Sequence, residues 1–519
     1  MAGAETRTAP VSGFAAGVSS RTGVIALRLP LVVFFLALMP RLFNLGARPF
    51  WSDELLTAGR AALPVPALIH SSLLAHHTPV YFLLVAPFAH LPDPQFWLRV
   101  PSALLGALNV VLVYSIAAQA GGRTAGIAAA LIMGLAPIEI AYAQDARSYM
   151  LMIFFLLIAL QALTTLALSG ERAALPLRSG GQARVWLQFI AGSAAAVCTL
   201  GDALPWLLAT LITALLMLRR VPNRAGLLRN FLTADAICLA ACLPLYLMMA
   251  IETGKLHNSL KFVPATTPSL IGFDIGSVYL LRIGDFISPH FLAVPTPQAL
   301  TAAVGGGIGL AFFRGLWRLR QNPMLAACLL PAVFTLPVLF GLFSLIKPVL
   351  LVRYLLWSGP PFAMLAGLGV AAALENCRPR LRYCALAGIA LLLLFNLMPF
   401  YHAETKPRWD IAAKIFASQA GPQDVVYYFN PGDAWTMRYY LPAPFRQALL
   451  VDVNEDLQHA MRARARGQRV WAIYGDTCNN TDLQSRAEFQ ASLAVLGAPS
   501  AELHAGERII LWRYDPATE

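Results

Sequence analysis

Four short stretches of this 519-residue chain carry side chains whose types and spacing could do chemistry. The first is Arg48-Pro49-Phe50-Trp51-Ser52-Asp53-Glu54-Leu55, where two adjacent carboxylates suit a general base with a neighbour that orients it or holds a cation. Asp53 and Glu54 also have a bland reading, acids in a first helical turn capped by Ser52. The second is His76-His77-Thr78-Pro79-Val80-Tyr81-Phe82. Its two histidines are adjacent and lack the i,i+4 spacing of a joint metal site on a helix, and the segment could equally be an interfacial turn with an aromatic anchor. The third runs from Pro137 through Glu139 to Gln144-Asp145-Ala146-Arg147-Ser148-Tyr149. A guanidinium such as that of Arg147 can grip a phosphate with two parallel hydrogen bonds, or simply pair with Asp145. The fourth is Lys347-Pro348-Val349-Leu350-Leu351-Val352-Arg353-Tyr354. Its two cations flank a proline-containing turn, which suits a phosphate or diphosphate as well as a snorkelling anchor.

What must position these stretches is a set of membrane helices. Hydrophobic residues make up 58% of the chain and charged residues 13%, against roughly 25% charged in a soluble protein. Mean hydropathy is +0.61. This composition excludes a soluble enzyme, a disordered scaffold and a secreted disulfide module. A spanning helix needs about 20 apolar residues. Such segments are expected at 29–45, 98–119, 124–143, 149–168, 186–201, 204–218, 231–250, 298–313, 323–346, 355–374 and 384–400, about 11 transmembrane helices in all. The loops after every even-numbered segment are basic, at Arg123, Arg172, Arg219, Arg314 and Arg378 and their neighbours. Basic loops stay cytoplasmic, so the N-terminus is expected inside and the tail outside. The first segment lacks a small-residue cleavage site and reads as a retained helix. The apolar stretch 78–91 is short and holds Pro79 and Pro87. It reads as interfacial, which keeps the loop 46–97 on the outer face. All four chemical stretches then fall on one side of the membrane.

The net charge of +12 could suggest nucleic acid, but residues 401–519 carry −2 and the rest carries +14, all of it between apolar segments. No nucleic-acid partner is expected. Of seven cysteines, six lie in or beside apolar segments and Cys478 lies in the tail, with no metal-ligand spacing; they read as small buried hydrophobes. The chain divides into a cytoplasmic leader, 1–23, a transmembrane domain, 24–400, and a soluble extracytoplasmic domain, 401–519. In the last, strands are expected at 424–429, 449–453, 469–474 and 509–514, with helices at 408–420, 433–440, 455–465 and 485–496, a small α/β domain with a mostly parallel sheet. No glycine-rich phosphate loop marks it as a nucleotide site.

The order Trp51-Ser52-Asp53-Glu54, His77-Thr78-Pro79-Val80-Tyr81, Leu98-Arg99-Val100-Pro101-Ser102 and Gln144-Asp145-Ala146-Arg147-Ser148-Tyr149 resembles the bacterial family 39 glycosyltransferases of the GT-C membrane fold. These are relatives of protein O-mannosyltransferases and of the lipid A aminoarabinose transferase. Arg353-Tyr354 before Pro360-Pro361, and Lys406-Pro407-Arg408-Trp409-Asp410 opening the tail, are similar to later motifs of that family. The resemblance covers about residues 25–440 and departs from the family pattern at Thr78, which stands in place of a proline. It implies that Asp53 deprotonates the acceptor with Glu54 as its acidic neighbour. It also implies that Arg147, Arg353 and Lys347 meet the phosphate of the donor, and that His77, Tyr81, Gln144, Asp145, Tyr149 and Tyr354 support the substrate site.

The implied donor is a sugar on a polyprenyl phosphate in the outer leaflet of the cell's inner (plasma) membrane. The acceptor would be a glycolipid, a polysaccharide or a protein. No cofactor is implied with certainty, and a divalent cation is compatible with the fold. The reaction would be an inverting displacement at the sugar C1, needing a base at the acceptor and cations at the departing phosphate. The competing reading is a polytopic transporter or flippase of a lipid-linked or envelope component. That would put ionisable residues in mid-membrane pairs within repeated halves. Asp202 and Asp235 fit this reading best, yet neither is central in its segment and no repeat is evident.

Overall fold

The computed structural model describes residues 20–177, 180–253, 298–347, 350–421, 423–429, 431–448, 457–475 and 483–516. Residues 1–19 of the expected leader, the expected strand 449–453 and Cys478 lie outside the described residues. Every expected membrane segment is helical. Helix α1 is Ser20–Leu42, and the first loop folds into α2 (Ser52–Ala61), α3 (Val65–Leu74), α4 (Val80–Val85) and α5 (Pro94–Trp97). There follow α6 (Val100–Gly134), α7 (Pro137–Ala143), α8 (Tyr149–Leu168), α9 (Gln182–Thr199), α10 (Pro205–Met217) and α11 (Arg224–Thr253). After the gap come α12 (Gln298–Leu319), α13 (Pro323–Ile346), α14 (Gly359–Ala373) and α15 (Pro379–His402). Among the described residues, six helices are long and apolar enough to cross a membrane, and they begin at Pro94, Tyr149, Arg224, Pro323, Val352 and Pro379. The chain is a multi-pass membrane protein of mainly α structure. Two of the expected segments lie on the two arms of α6, which counts once among these six, and Gly201–Met217 is shorter than a full span.

Helix α6 is a hairpin drawn as one element. At Gly122 φ is +82°, a conformation that a side chain would strain, and the chain reverses there. The expected single segment 124–143 is broken too, since α6 ends at Gly134 and Pro137 starts α7. The consequence for function is direct. Arg99 precedes one arm of the hairpin and Gln144–Tyr149 follow the other, so both arms deliver residues to the same end of the bundle. Helix α6 packs on α14, α1 and α8. Where α12 crosses α14 the backbones touch: a Cβ on Gly369 would lie 1.7 Å from the Ala311 carbonyl oxygen. Small residues permit such approach in lipid, where van der Waals packing replaces the hydrophobic drive. The outward faces of these helices stay apolar and exposed, with Phe35, Leu36, Leu310 and Ile346 pointing away from the bundle.

The tail holds α16 (Trp409–Gln419), β1 (Val425–Tyr428), α17 (Pro431–Tyr440), α18 (Ala443–Ala448), α19 (Leu457–Ala465), β2 (Val470–Gly475), α20 (Leu483–Ser492), β3 (Ala501–Ala505) and β4 (Ile509–Tyr514). The sheet order is β1-β2-β4-β3. Only β1 and β2 pair in parallel; β2–β4 and β3–β4 are antiparallel. The expectation of a mostly parallel sheet is therefore corrected to a mixed one. The reason is β3, whose alternating half-exposed pattern hides it from a search for apolar runs and which returns into β4 as a hairpin. Trp471 and Ile473 pack one face of the sheet against α16 and α17, while Val470, Ala472 and Tyr474 pack the other against α19 and α20. Burial on both faces is what makes β2 read as a continuous apolar run.

Candidate active site

The first-loop acids diverge as adjacent helical residues must, by about 100°. The cap position of α2 is Trp51, so Ser52 is its first helical residue and not its cap. Glu54 points inward and is fully buried. Its carboxylate accepts 2.7 Å bonds from Arg99 Nε and Nη2, a 2.7 Å bond from Lys406 Nζ and a 3.0 Å bond from the Ala146 N–H. Arg99 is completed by the carbonyls of Leu45, Arg48 and Pro49 at 2.8–3.0 Å. Burial alone would raise the Glu54 pKa, but Arg99 and Lys406 outweigh it and bring it down to about 2. Lys406 also bonds Asp145 at 2.5 Å. Burial raises the Asp145 pKa, with Lys406 opposing it and Glu54 adding to it. Arg99 and Lys406 thus balance Glu54 and Asp145 in one closed buried set, with the lysine ammonium between the two carboxylates.

A second set is not closed. Asp53 points to the other side, and its side chain keeps 23% exposure. Its Oδ2 lies 3.6 Å from Arg147 Nη2 and 3.5 Å from Arg353 Nη1. These are ion pairs without tight hydrogen bonds, so the carboxylate keeps room for a further hydrogen-bond donor. Arg147 donates a 3.4 Å bond to the Asp53 carbonyl. Arg60, one face further along α2, interacts with both Asp53 and Arg147, and burial lowers its pKa to about 10. Arg147 Nε and Arg60 Nη1 are buried with no hydrogen-bond partner among the described residues. Asp202, in the turn before α10, is the next acid, interacting with Arg353 and Arg147. Three guanidiniums gathered round Asp53 leave positive charge that wants an anion, since buried like charges are costly without one.

The other expected residues divide between this set and its supports. His77 donates from Nδ1–H to the Ala75 carbonyl at 2.7 Å. Burial, then Arg147 and Arg60, push its pKa down to about 4, so it is neutral and adds no charge. A cavity of about 10 Å³ lies between His77, Thr78, Tyr81 and Arg147, room for roughly one water. Tyr81 OH meets Ser102 Oγ at 2.8 Å, and Ser102 donates to the Arg147 carbonyl at 3.3 Å. Tyr81 therefore steadies the arginine's backbone. Tyr149 hydrogen-bonds Arg147 and is buried beside Tyr142, ring centroids 5.3 Å apart. Arg353 lies over the ring of Tyr354 at 5.7 Å.

Two expected site residues stand elsewhere. Gln144 spends its amide on the carbonyls of Arg41 and Phe43 at 3.1 and 2.8 Å, closing the end of α1. Lys347 is exposed at the end of α13. Asp235, the other residue that fitted a transporter, bonds Thr210 at 3.0 and 3.1 Å within the bundle.

Sequence reasoning did not assign roles to Arg99, Lys406 or Arg60. A usable signal existed for two of them. Arg99 and Lys406 are basic residues at the outer ends of expected spans, where topology gives no reason for them; the same argument singled out Arg147. Lys406→Met is expected to leave Glu54 and Asp145 with Arg99 alone and to cost about 1.5–3 kcal/mol, read as a lower melting temperature in detergent. An unchanged midpoint would show that the lysine does not hold the loop and tail together.

In sequence, the chain matches no protein-family model and no curated protein. In structure it is similar to ArnT from Cupriavidus metallidurans bound to undecaprenyl phosphate, with TM-score 0.52 and 13% identity over 96% of this chain and 99% of that one. The apo state of the same protein gives TM-score 0.52 and 15% identity over the same shares. ArnT is the lipid A aminoarabinose transferase, a GT-C fold enzyme. The chain is therefore a membrane protein of the GT-C fold, with a small α/β domain at its C-terminal end.

Proposed function

We propose that this protein is a membrane glycosyltransferase that moves a sugar from a polyprenyl-phosphate donor to an acceptor hydroxyl on the outer face of the inner membrane. The observation that carries this reading is the open set around Asp53: a reachable carboxylate loosely paired with Arg147 and Arg353, with Arg60 and Asp202 beside it, so that three cations face two acids. A base next to an anion site is what a displacement at the sugar C1 needs. The acceptor oxygen forms a bond to C1 as the bond from C1 to the phosphate oxygen breaks. The acceptor proton passes to Asp53, and the polyprenyl phosphate leaves into the field of Arg147, Arg353 and Arg60. The configuration at C1 inverts. Glu54 orients the loop and takes no proton. The similar ArnT structure holds undecaprenyl phosphate, which supports a lipid-linked donor here. The basic even-numbered loops support an extracytoplasmic site and tail. The bonding of Asp202 and Asp235 favours no transport path, since one joins the arginine set and the other is held by Thr210.

The donor site is tested by binding. Arg147→Ala and Arg353→Ala should each weaken capture of undecaprenyl phosphate in detergent by roughly 10–100-fold, the worth of a lost charged hydrogen bond. Arg147→Lys should recover little, because an ammonium lacks the planar fork. Unchanged affinity in both alanine variants would remove the phosphate from this place.

A further inference from the structure

A second cavity lies at the other end of the bundle. It measures about 450 Å³ and opens between the Gly122 turn of α6, the end of α12 and the turn from α14 to α15. Its distance from the Asp53 set follows from the chain: the α6 arm between Arg99 and Gly122 is a run of helix about 30 Å long. The cavity exists because its walls are small there, Ala120, Gly121, Ala371 and Ala372. Its floor is apolar, from Leu319, Leu325 and Leu368, and its rim carries Arg318, Arg382, Gln321 and Thr124. Arg318 meets Glu375 at 3.1 Å. Arg382 donates to the Glu375 and Cys377 carbonyls at 2.7 and 2.9 Å, and Arg314 donates to the Ala372 carbonyl at 3.1 Å. Three guanidiniums therefore converge on one short turn that offers a single carboxylate, Glu375, itself half exposed.

An apolar lining beside guanidiniums, at the end of the bundle away from Asp53, matches one kind of molecule. We propose that this cavity binds the phosphate headgroup of an anionic glycerophospholipid from the leaflet opposite the Asp53 site. The phosphate sits between Arg318 and Arg382, the glycerol lies against Thr124 and Gln321, and the acyl chains leave along Leu325 and Leu368. Basic pockets between transmembrane helices bind lipid headgroups by this combination of charge and apolar contact. The site is separate from the donor site, being lined by none of its residues.

The test is native mass spectrometry of the full chain released from nanodiscs of mixed phosphatidylglycerol and phosphatidylcholine. Wild-type protein should retain phosphatidylglycerol over phosphatidylcholine. Arg318→Ala/Arg382→Ala should weaken retention on the order of 30-fold. Because Arg382 also ties the α14–α15 turn, Thr124→Phe provides a second variant. It fills the cavity without touching a charge and should lose the lipid as well. Equal retention of phosphatidylglycerol by wild type and both variants overturns the site. Glycerol 1-phosphate displacing the lipid at equal concentration overturns the lipid as its source and points to a soluble phosphate. Failure of the arginine variants at the Asp53 site would not touch this result, since phosphatidylglycerol retention is read without any transfer reaction.

Discussion

Asp53→Asn is expected to leave a folded, membrane-inserted protein that binds the polyprenyl donor and transfers sugar roughly 10²–10⁴-fold more slowly, the usual worth of a positioned base. The choice of Asp53 rests on access and on partners. Its side chain is 23% exposed, against 0% for Glu54 and 6% for Asp145. The buried pair already accepts close bonds from Lys406, while Asp53 has only two loose ion pairs at 3.5 and 3.6 Å. An acceptor hydroxyl can reach Asp53 and cannot reach the others. Asparagine keeps the shape and loses the ability to take a proton. If Asp53 served only to complement the α2 dipole, the same change would cost a few tenths to about 1 kcal/mol of stability and spare transfer. Transfer of labelled sugar by purified variants, compared at matched melting temperature, separates the two. Near-normal transfer by Asp53→Asn would sink the assignment.

Glu54→Gln should act on the fold. Removing one partner of a buried ion pair leaves the other charge uncompensated, at about 3–5 kcal/mol, and here both Arg99 and Lys406 lose it. A melting temperature lowered by several degrees is expected, together with earlier proteolysis at the loop after α1. A Glu54→Gln protein as stable as wild type but inactive would instead make Glu54 the base. The same residue sets an acid limit. Its folded pKa is held at about 2, below the ordinary value of 4.5. A group with a depressed folded pKa contributes stability that is fully present above its unfolded pKa and lost as pH falls through the folded one. Glu54 should therefore stabilise the protein fully near neutrality and release it between about pH 4.5 and pH 2, with the slope absent in Glu54→Gln.

Much of this was legible because lipid and topology leave few alternatives. A run of apolar residues in lipid has to be helical, and each expected segment is, although 124–143 is broken between Gly134 and Pro137. Asp53, Arg147 and Arg353 could be named because they are charges at helix ends where the bilayer gives no reason for them. What the sequence hides is convergence. Nothing local tells that Glu54 and Asp145 share Lys406 from across the chain, or that Gln144 closes the end of α1 while Asp145 beside it joins the buried set around Lys406. Arg353, in the turn Val352–Ser358, is folded back onto Asp53, a contact between residues 300 positions apart that no local pattern announces. The strand β3 was missed because one of its faces is exposed, so its apolar content never rises into a run.

The link from Lys406 to Asp145 spans 261 residues of chain. Synthesis proceeds from the N-terminus at about 5–20 residues per second, so Asp145 is made roughly 13–52 s, and Glu54 roughly 18–70 s, before their lysine. Through that interval the nascent protein carries two neighbouring carboxylates with one arginine between them, a pocket that can close only when the last span has been passed and the tail has begun to emerge. A chain that stops short never closes it. Chains truncated before Lys406 are therefore expected to be cut faster by added protease than the full chain, because this contact cannot form in them.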